Sequence, residues 1–185
     1  NPSTCVVDST VKIGRDTIIY PGVILEGNTE IGQDCVLIGH CRIMNSIIGN
    51  SCEIITSQID ECILGEGVKV GPYANLRPGC KLAPKVKVGD FVELKNTEVG
   101  EGTKIPHHTY VGDGTLGKNV NVGAGVIFVN YDGFKKHRAI IEDNAFIGCN
   151  SNLIAPVTIK AGSFVAAGST ITEEVPANSL AIARS

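Results

Sequence analysis

The chain has 185 residues, enough for one domain with a real core, and its net charge of −3 gives no electrostatic reason to expect nucleic acid or an anionic membrane. Apolar residues make up 43 % and aromatics only 5 %, with 22 glycines and no tryptophan, which suits a core of stacked aliphatic strands rather than interlocking rings. No apolar run approaches the roughly 18–20 residues that span a bilayer, and there is no signal-peptide pattern. The absent initiator Met and the "AIARS" end are those expected of a fragment or a processed chain.

From Ile13 onward an aliphatic residue returns every six positions, usually followed by Gly. The units are "IGRDTI" from Ile13, "IGQDCV" from Ile31, "IGNSCE" from Ile48, "LGEGVK" from Leu64, "VGPYAN" from Val70 and "VGDFVE" from Val88. They continue with "VGEGTK" from Val99, "LGKNVN" from Leu116 and "VGAGVI" from Val122, then, after a gap, "IGCNSN" from Ile147 and "VAAGST" from Val165. Val70, Leu76, Leu82, Val88 and Leu94 form one unbroken ladder, and Ile147, Leu153, Ile159, Val165 and Ile171 another. Neither a 3.6-residue helix nor a two-residue alternation keeps this period, whereas the hexapeptide repeat of a parallel β-helix does. An all-β solenoid of three sides and about eight to ten coils is therefore predicted, as one domain over residues 1–185.

The repeat absorbs several motifs that would otherwise suggest chemistry. Cys5, Cys35, Cys41, Cys52, Cys62 and Cys80 each stand two positions before a ladder aliphatic, in the small-residue slot, and read as buried small hydrophobes. Seven cysteines without a CxxC argue against a disulfide scaffold and for a reducing cytosol; Cys149 alone falls off the register. "VGAGV" resembles a phosphate cradle only until its glycines are recognised as the turn between sides. Pro72, Pro78 and Pro84, six apart, punctuate coil corners.

Four histidines are present: His40, His107, His108 and His137. An adjacent pair and two distant singles fit poorly with a three-histidine zinc site across coils, so no metal is expected. On an extended chain His107 and His108 point to opposite faces, one toward a cleft and the other toward the core or a neighbouring subunit, and either is a candidate catalytic group. Near residues 128–141 the rhythm breaks, and "VNYDGFKKHR" stands in place of two repeat units. Its Asp-Gly marks a turn, and the basic run Lys135 to Arg138 makes it either a solvated hairpin or a lid or phosphate clamp.

The motifs "GPYANLRPG", "VGDFVELKN", "HHTYVGD", "NVNVGAG" with "VNYDG", "LIAPV" and "LAIAR", in this order, resemble the acetyltransferase half of the bacterial bifunctional enzyme that makes UDP-N-acetylglucosamine. The resemblance covers essentially the whole chain, while the N-terminal uridylyltransferase domain of that family has no counterpart within it. It implies a left-handed β-helix assembling as a homotrimer with active sites between subunits, in the cytoplasm. It also implies transfer of the acetyl group of acetyl-CoA to the amine of glucosamine-1-phosphate, for UDP-N-acetylglucosamine and cell-wall precursor synthesis, with no metal in this half and no nucleic-acid or membrane partner.

By resemblance, His107 is the catalytic base that frees the amine for attack on the thioester, a role suited to an imidazole. Arg77 and Lys95 hold the sugar phosphate, one as a bidentate fork and one as a point charge, with Lys136 as a further phosphate contact. Tyr110 and Asn121 contact the sugar, and Asn130 and Tyr131 lie near the reacting centre. Ala124, Cys149, Ala167 and Arg184 line the coenzyme groove. His108 stands where an apolar residue is expected and is read as structural. Cys149 replaces an expected Ser; a thiol is the poorer donor, so oxyanion stabilisation falls more to backbone N–H groups, and no basic neighbour in sequence marks it as a nucleophile. The family continues past Arg184 into a tail that covers the coenzyme. Two other readings stand beside this one: a non-catalytic β-helical trimerisation or regulatory module of a sugar nucleotidyltransferase, and a hexapeptide acyltransferase with a different acceptor.

Overall fold

A computed structural model describes residues 1–183. Strands of two to four residues stack into three parallel sheets of ten, nine and ten strands, and the chain visits them in rotation up to the last coil, so the molecule is a three-sided parallel β-helix of about ten coils. The only helical element among the described residues is a 3₁₀ turn at Pro2–Thr4.

The six-residue period follows from what each side must do. The middle residue of each strand points inward, its neighbours point outward, and a corner closes the side. Leu76, Leu94, Val111, Phe128 and Leu153 stack inside the first sheet, and Val70, Val88, Ile105, Val122 and Ile147 inside the third, all buried. Corners require left-handed backbone at single residues, which Asn, Asp and Gly adopt most readily. Asp16, Asp34, Asn119 and Asn144 accordingly hold φ between 54° and 59°. Cys35, Cys41, Cys52, Cys62 and Cys80 are buried in the small slots, and burial pushes the Cys41 thiol up, away from reactivity. Cys5 is only half-buried, because its coil is the last at that end and has no neighbour beyond it.

One coil differs. Tyr110 pairs with Ile127, seventeen residues on, but Ile127 pairs with Asn152, twenty-five residues on. Phe128 and Ala139 flank the extra segment, and both lie fully buried in register. The insertion therefore adds about eight residues at the corner between the first and second sheets, and replaces no repeat unit: the two strands thought missing are present at Ile127–Val129 and Ala139–Ile141.

Since the interior is a single stack, shortening one rung leaves a cavity that neighbours on both sides cannot fill. Leu94→Ala, at a fully buried position in the first sheet, is expected to cost about 2–5 kcal/mol in urea unfolding. A loss below about 1 kcal/mol would contradict the rigid stack.

Candidate active site

The corner between the third and first sheets carries a column of residues each two positions beyond a ladder aliphatic: Asp90, His107, Ala124, Cys149 and Ala167. The backbone stacks them on successive coils. His108 N–H donates to Asp90 O at 3.0 Å, Asn150 N–H to Ala124 O at 2.8 Å and Gly168 N–H to Cys149 O at 2.8 Å. At about 4.8 Å per rung, His107 to Ala167 spans roughly 14 Å. Cys149 is exposed on this edge, between two alanines.

His107 ends the strand Lys104–His107, and its partner in register is Asp90, one coil earlier. The ring Nδ1 lies 3.0 Å from Asp90 Oδ1. A carboxylate only accepts, so Nδ1 carries the proton and the Nε2 lone pair of the neutral ring is left for a substrate. A backbone N–H at Asp90 and the His107 ring hold the Asp90 carboxyl below the usual range, against a smaller opposing effect of burial. The pair has the geometry of an imidazole oriented by an acid.

His108 does not take the opposite face. Its φ is 43°, so the extended alternation stops at His107 and His108 turns the corner. It is exposed, neither in the core nor alternating with its neighbour, and stacks on Phe91 at 5.1 Å, which in turn stacks on Tyr73 at 5.4 Å. The strand alternation therefore ends at His107, and neither histidine faces the core of its own chain.

The outward face of the first sheet carries a second cluster. Arg77, Lys95 and Gly112 follow one another on consecutive coils. Arg77 Nη1 donates to Glu93 Oε1 at 2.9 Å, leaving other guanidinium N–H groups for an anion, and Lys95 Nζ sits 3.7 Å from Asp113 Oδ2. Asp113 also accepts from Asn96 Nδ2 at 2.6 Å and from Asn130 Nδ2 at 2.7 Å. Burial pushes this carboxyl up, but the two amides and the charges of Lys95 and Arg138 outweigh burial and hold it below the usual range. Gly112 makes the cluster possible: a Cβ there would strike the Tyr110 hydroxyl and the Asn130 amide, so only glycine lets these two groups close over the strand.

The insertion is ordered by its own contacts. Tyr131 bridges Lys136 antiparallel, and the Lys136 ammonium lies 4.4 Å over the Tyr131 ring, whose hydroxyl donates to Gly133 O at 2.6 Å. Asp132 accepts from the Phe134 and Lys135 N–H groups at 2.8 Å and pairs with His137 Nε2 at 2.6 Å. The Lys135 N–H, the His137 ring and the Phe134 N–H hold its carboxyl well below the usual range. Arg138 is committed to Gly114 O at 2.8 Å and Thr115 Oγ1 at 2.9 Å, so the basic run does not act as one clamp. Asn130, 5 % exposed, roots the loop at the Asp113 cluster, while Tyr131 and Phe134 at its tip are exposed, Phe134 by 94 %.

A single chain thus gathers the expected residues in two groups: His107 with Ala124, Cys149 and Ala167 on one corner, and Arg77, Lys95, Tyr110 and Asn130 on the first sheet. Asn121 lies on the third sheet between Lys104 and Phe146, and Tyr131 and Lys136 pair with each other inside the loop. Arg184 lies outside the described residues. Asp90, Glu93, Asn96 and Asp113 were not singled out in the sequence, although each stands about one coil from a residue that was. No group of three or more His, Cys, Asp or Glu side chains is placed to hold a metal ion among the described residues, and no described helix is long and apolar enough to cross a membrane.

Comparison with known proteins places this geometry. Residues 38–120 match the family model described as GlmU-like, C-terminal hexapeptide, and residues 138–173 match the bacterial transferase hexapeptide (six repeats). The bifunctional protein GlmU of Alkaliphilus metalliredigens is 54 % identical over 185 residues, covering 100 % of this chain and 41 % of that protein. The bifunctional protein GlmU of Caldicellulosiruptor saccharolyticus is 58 % identical over 173 residues, covering 94 % of this chain and 37 % of that protein. The chain therefore spans about two fifths of the length of the curated relatives it matches. Among solved structures, the UDP-N-acetylglucosamine acyltransferase of Francisella novicida shares the fold at TM-score 0.61 and 22 % identity, over 98 % of this chain and 66 % of its own. With the solenoid fold and identity above 50 % across nearly all of this chain in agreement, the chain belongs to the family of GlmU-like C-terminal hexapeptide domains.

Proposed function

We propose that this chain is an acetyltransferase domain that moves the acetyl group of acetyl-CoA to the amine of glucosamine-1-phosphate, yielding N-acetylglucosamine-1-phosphate for UDP-N-acetylglucosamine synthesis in the cytoplasm. The observation that carries the reading is the His107–Asp90 pair standing at the head of a column of small residues on the same corner. A linear thioester arm fits such a column: Ala124 and Ala167 leave the edge unobstructed over successive coils, and Arg184, by family resemblance, supplies a cation for a coenzyme phosphate.

His107 Nε2 takes a proton from the sugar ammonium, because only the free amine has the lone pair that attacks a thioester carbonyl. Asp90 stabilises the imidazolium that forms and fixes the ring in the tautomer that leaves Nε2 open. Bound acetyl-CoA supplies the activated carbonyl and a thiol leaving group. Developing oxyanion charge meets backbone N–H groups at the corner and the Cys149 thiol, a weaker donor than a hydroxyl. Arg77 and Lys95 hold the phosphate, Tyr110 and Asn121 the sugar ring, Asn130 and Tyr131 the region of the amine, and Lys136 a further phosphate contact.

Asn121 lies on the third sheet and Tyr131 with Lys136 in the loop, apart from the Arg77–Lys95 cluster on the first sheet, which is in keeping with a homotrimer whose sites lie between subunits, one chain supplying the corner and another the sheet face or loop. A purely structural trimerisation module would have no use for an oriented imidazole beside an acid, or for a buried polar cluster behind an arginine and a lysine.

The reading is tested by thiol release from acetyl-CoA with glucosamine-1-phosphate, glucosamine and serine as alternative acceptors. Turnover is expected with the phosphorylated amino sugar, at least about 10²-fold above the other two in kcat/KM, as the loss of charge-assisted bonds to a phosphate implies. Equal rates with all three, or none, would overturn it.

A further inference from the structure

Among the described residues Asp113 is the one buried carboxylate, its side chain 10 % exposed, and none of the steps above uses it. It follows the strand Tyr110–Gly112 in left-handed backbone, φ 53°, with its N–H donating to Lys95 O at 2.9 Å. Three separate elements converge on its carboxylate: Lys95 at 3.7 Å from the preceding coil, Asn96 at 2.6 Å from the preceding corner, and Asn130 at 2.7 Å from the root of the insertion. Its carbonyl accepts from Ala139 N–H at 3.3 Å, so the loop's other root is tied to it as well.

A buried carboxylate is tolerated only where its lone pairs are answered. Having no donor, it obliges both asparagine amides to present Nδ2, which leaves Oδ1 of each turned away as an acceptor. For Asn130 this settles which end of the amide a substrate meets. The Asn130 amide lies over Gly112 beside the Tyr110 hydroxyl, on the same face as Lys95.

We propose that Asp113 is a positioning residue for the acceptor sugar phosphate: it tethers the Lys95 ammonium and fixes the Asn130 amide, so that the inserted loop and the phosphate-holding sheet are set against each other before substrate arrives. The proposal rests on the acetyltransferase reading. Two consequences of removing the charge oppose each other, and their balance makes the test. Asp113 partly neutralises Lys95, so its loss alone would strengthen the pull on a phosphate and lower KM. Loss of the tether lets the ammonium and the amide wander among rotamers and raises KM. Positioning requires the second to win.

The experiment compares wild type and Asp113→Asn in thiol release with acetyl-CoA, using glucosamine-1-phosphate and unphosphorylated glucosamine as acceptors. KM for the phosphorylated acceptor is expected to rise about tenfold or more, with KM for acetyl-CoA changed less than about threefold, and preference for the phosphorylated acceptor falls by a similar factor. In a Lys95→Met background, Asp113→Asn should no longer alter that preference. Asn96→Gly removes one anchor at an exposed corner (φ 48°) that glycine adopts without strain, and should shift the preference in the same direction by a smaller factor. An unchanged or lowered KM for the sugar phosphate, or an equal loss toward both acceptors, overturns the proposal while leaving the acetyltransferase reading intact. Should Asp113→Asn fail to fold, an unchanged preference in Asn96→Gly overturns it. A wild type that releases no thiol with either acceptor overturns the acetyltransferase reading, and this inference with it.

Discussion

His107→Ala is expected to lower kcat/KM for glucosamine-1-phosphate by about 10²–10⁴-fold, the range that a positioned general base contributes. The ring is half-exposed at the end of its strand and stands off the inward ladder, so its removal opens no cavity and the melting temperature should hold. Asp90→Asn should lose within the same range, since an amide neither supports the imidazolium charge nor fixes the tautomer that leaves Nε2 open. The sign of the pH dependence follows from the direction of the Asp90 shift. Held below its usual value, Asp90 contributes its pairing above the ordinary carboxylate range near pH 3.9, and loses it only as pH falls through the lower folded-state value. Over about pH 6–9 it stays an anion, so Asp90→Asn should lower the profile without adding or removing an inflection there. A His107→Ala rate within about threefold of wild type, in folded protein, would remove the base from the mechanism.

The two groups of site residues show what the hexapeptide period makes legible and what it hides. Ladder positions such as Leu94 and Ile147 declare themselves because one inward residue per side must be aliphatic, and the slots at Cys41 or Cys80 follow by counting back two. Corner chemistry is harder to read, because a coil is not a fixed length. Arg42 pairs with Gln58 sixteen residues on, His107 with Asp90 seventeen back, and Lys69 with Lys87 eighteen on. Asp90 and Asp113 stand one coil from His107 and Lys95, so a search at spacings of 16–18 residues finds them where a strict multiple of six does not. The insertion was visible as lost rhythm, yet its length was overread. "FVNYDG" and "HRAII" contain inward residues, Phe128 and Ala139, whose slots were disguised by polar neighbours. At His108 the alternation of an extended strand stops, because the chain turns there into a left-handed corner that no residue type announces.

Residue roles carried by resemblance divide by how they are held. Lys95, Asn130 and Tyr110 are locked by the Asp113 cluster and Gly112 within one chain. Asn121, Tyr131 and Lys136 are presented outward on another face or a loop. The first set is held by contacts within one cluster, whereas in the second Tyr131 and Lys136 contact each other in the loop and Asn121 stays on the third sheet. This division explains why no spacing rule on one chain could bring all of them together, and why the exposed loop is stiffened internally by Asp132 and the Tyr131–Lys136 contact.

Arg77→Ala carries the second large effect. Arg77 stands on the outward face one coil before Lys95, and its guanidinium, with one nitrogen on Glu93, keeps further donors at the open face. A charge-assisted bond to a phosphate is worth about 1.5–3 kcal/mol, and a guanidinium makes two in parallel. Allowing for the partial exposure of the site, KM for glucosamine-1-phosphate should rise about 30- to 100-fold in Arg77→Ala. With unphosphorylated glucosamine the variant and wild type should differ less than about threefold, since the bond at stake is then absent from both. Arg77→Lys should recover only part of the loss, because a single ammonium cannot reproduce the fork. Steady-state kinetics with the two acceptors separates the outcomes. A KM that rises equally for both would mean that Arg77 shapes the face through Glu93, its partner in the neighbouring strand, and makes no contact with the phosphate.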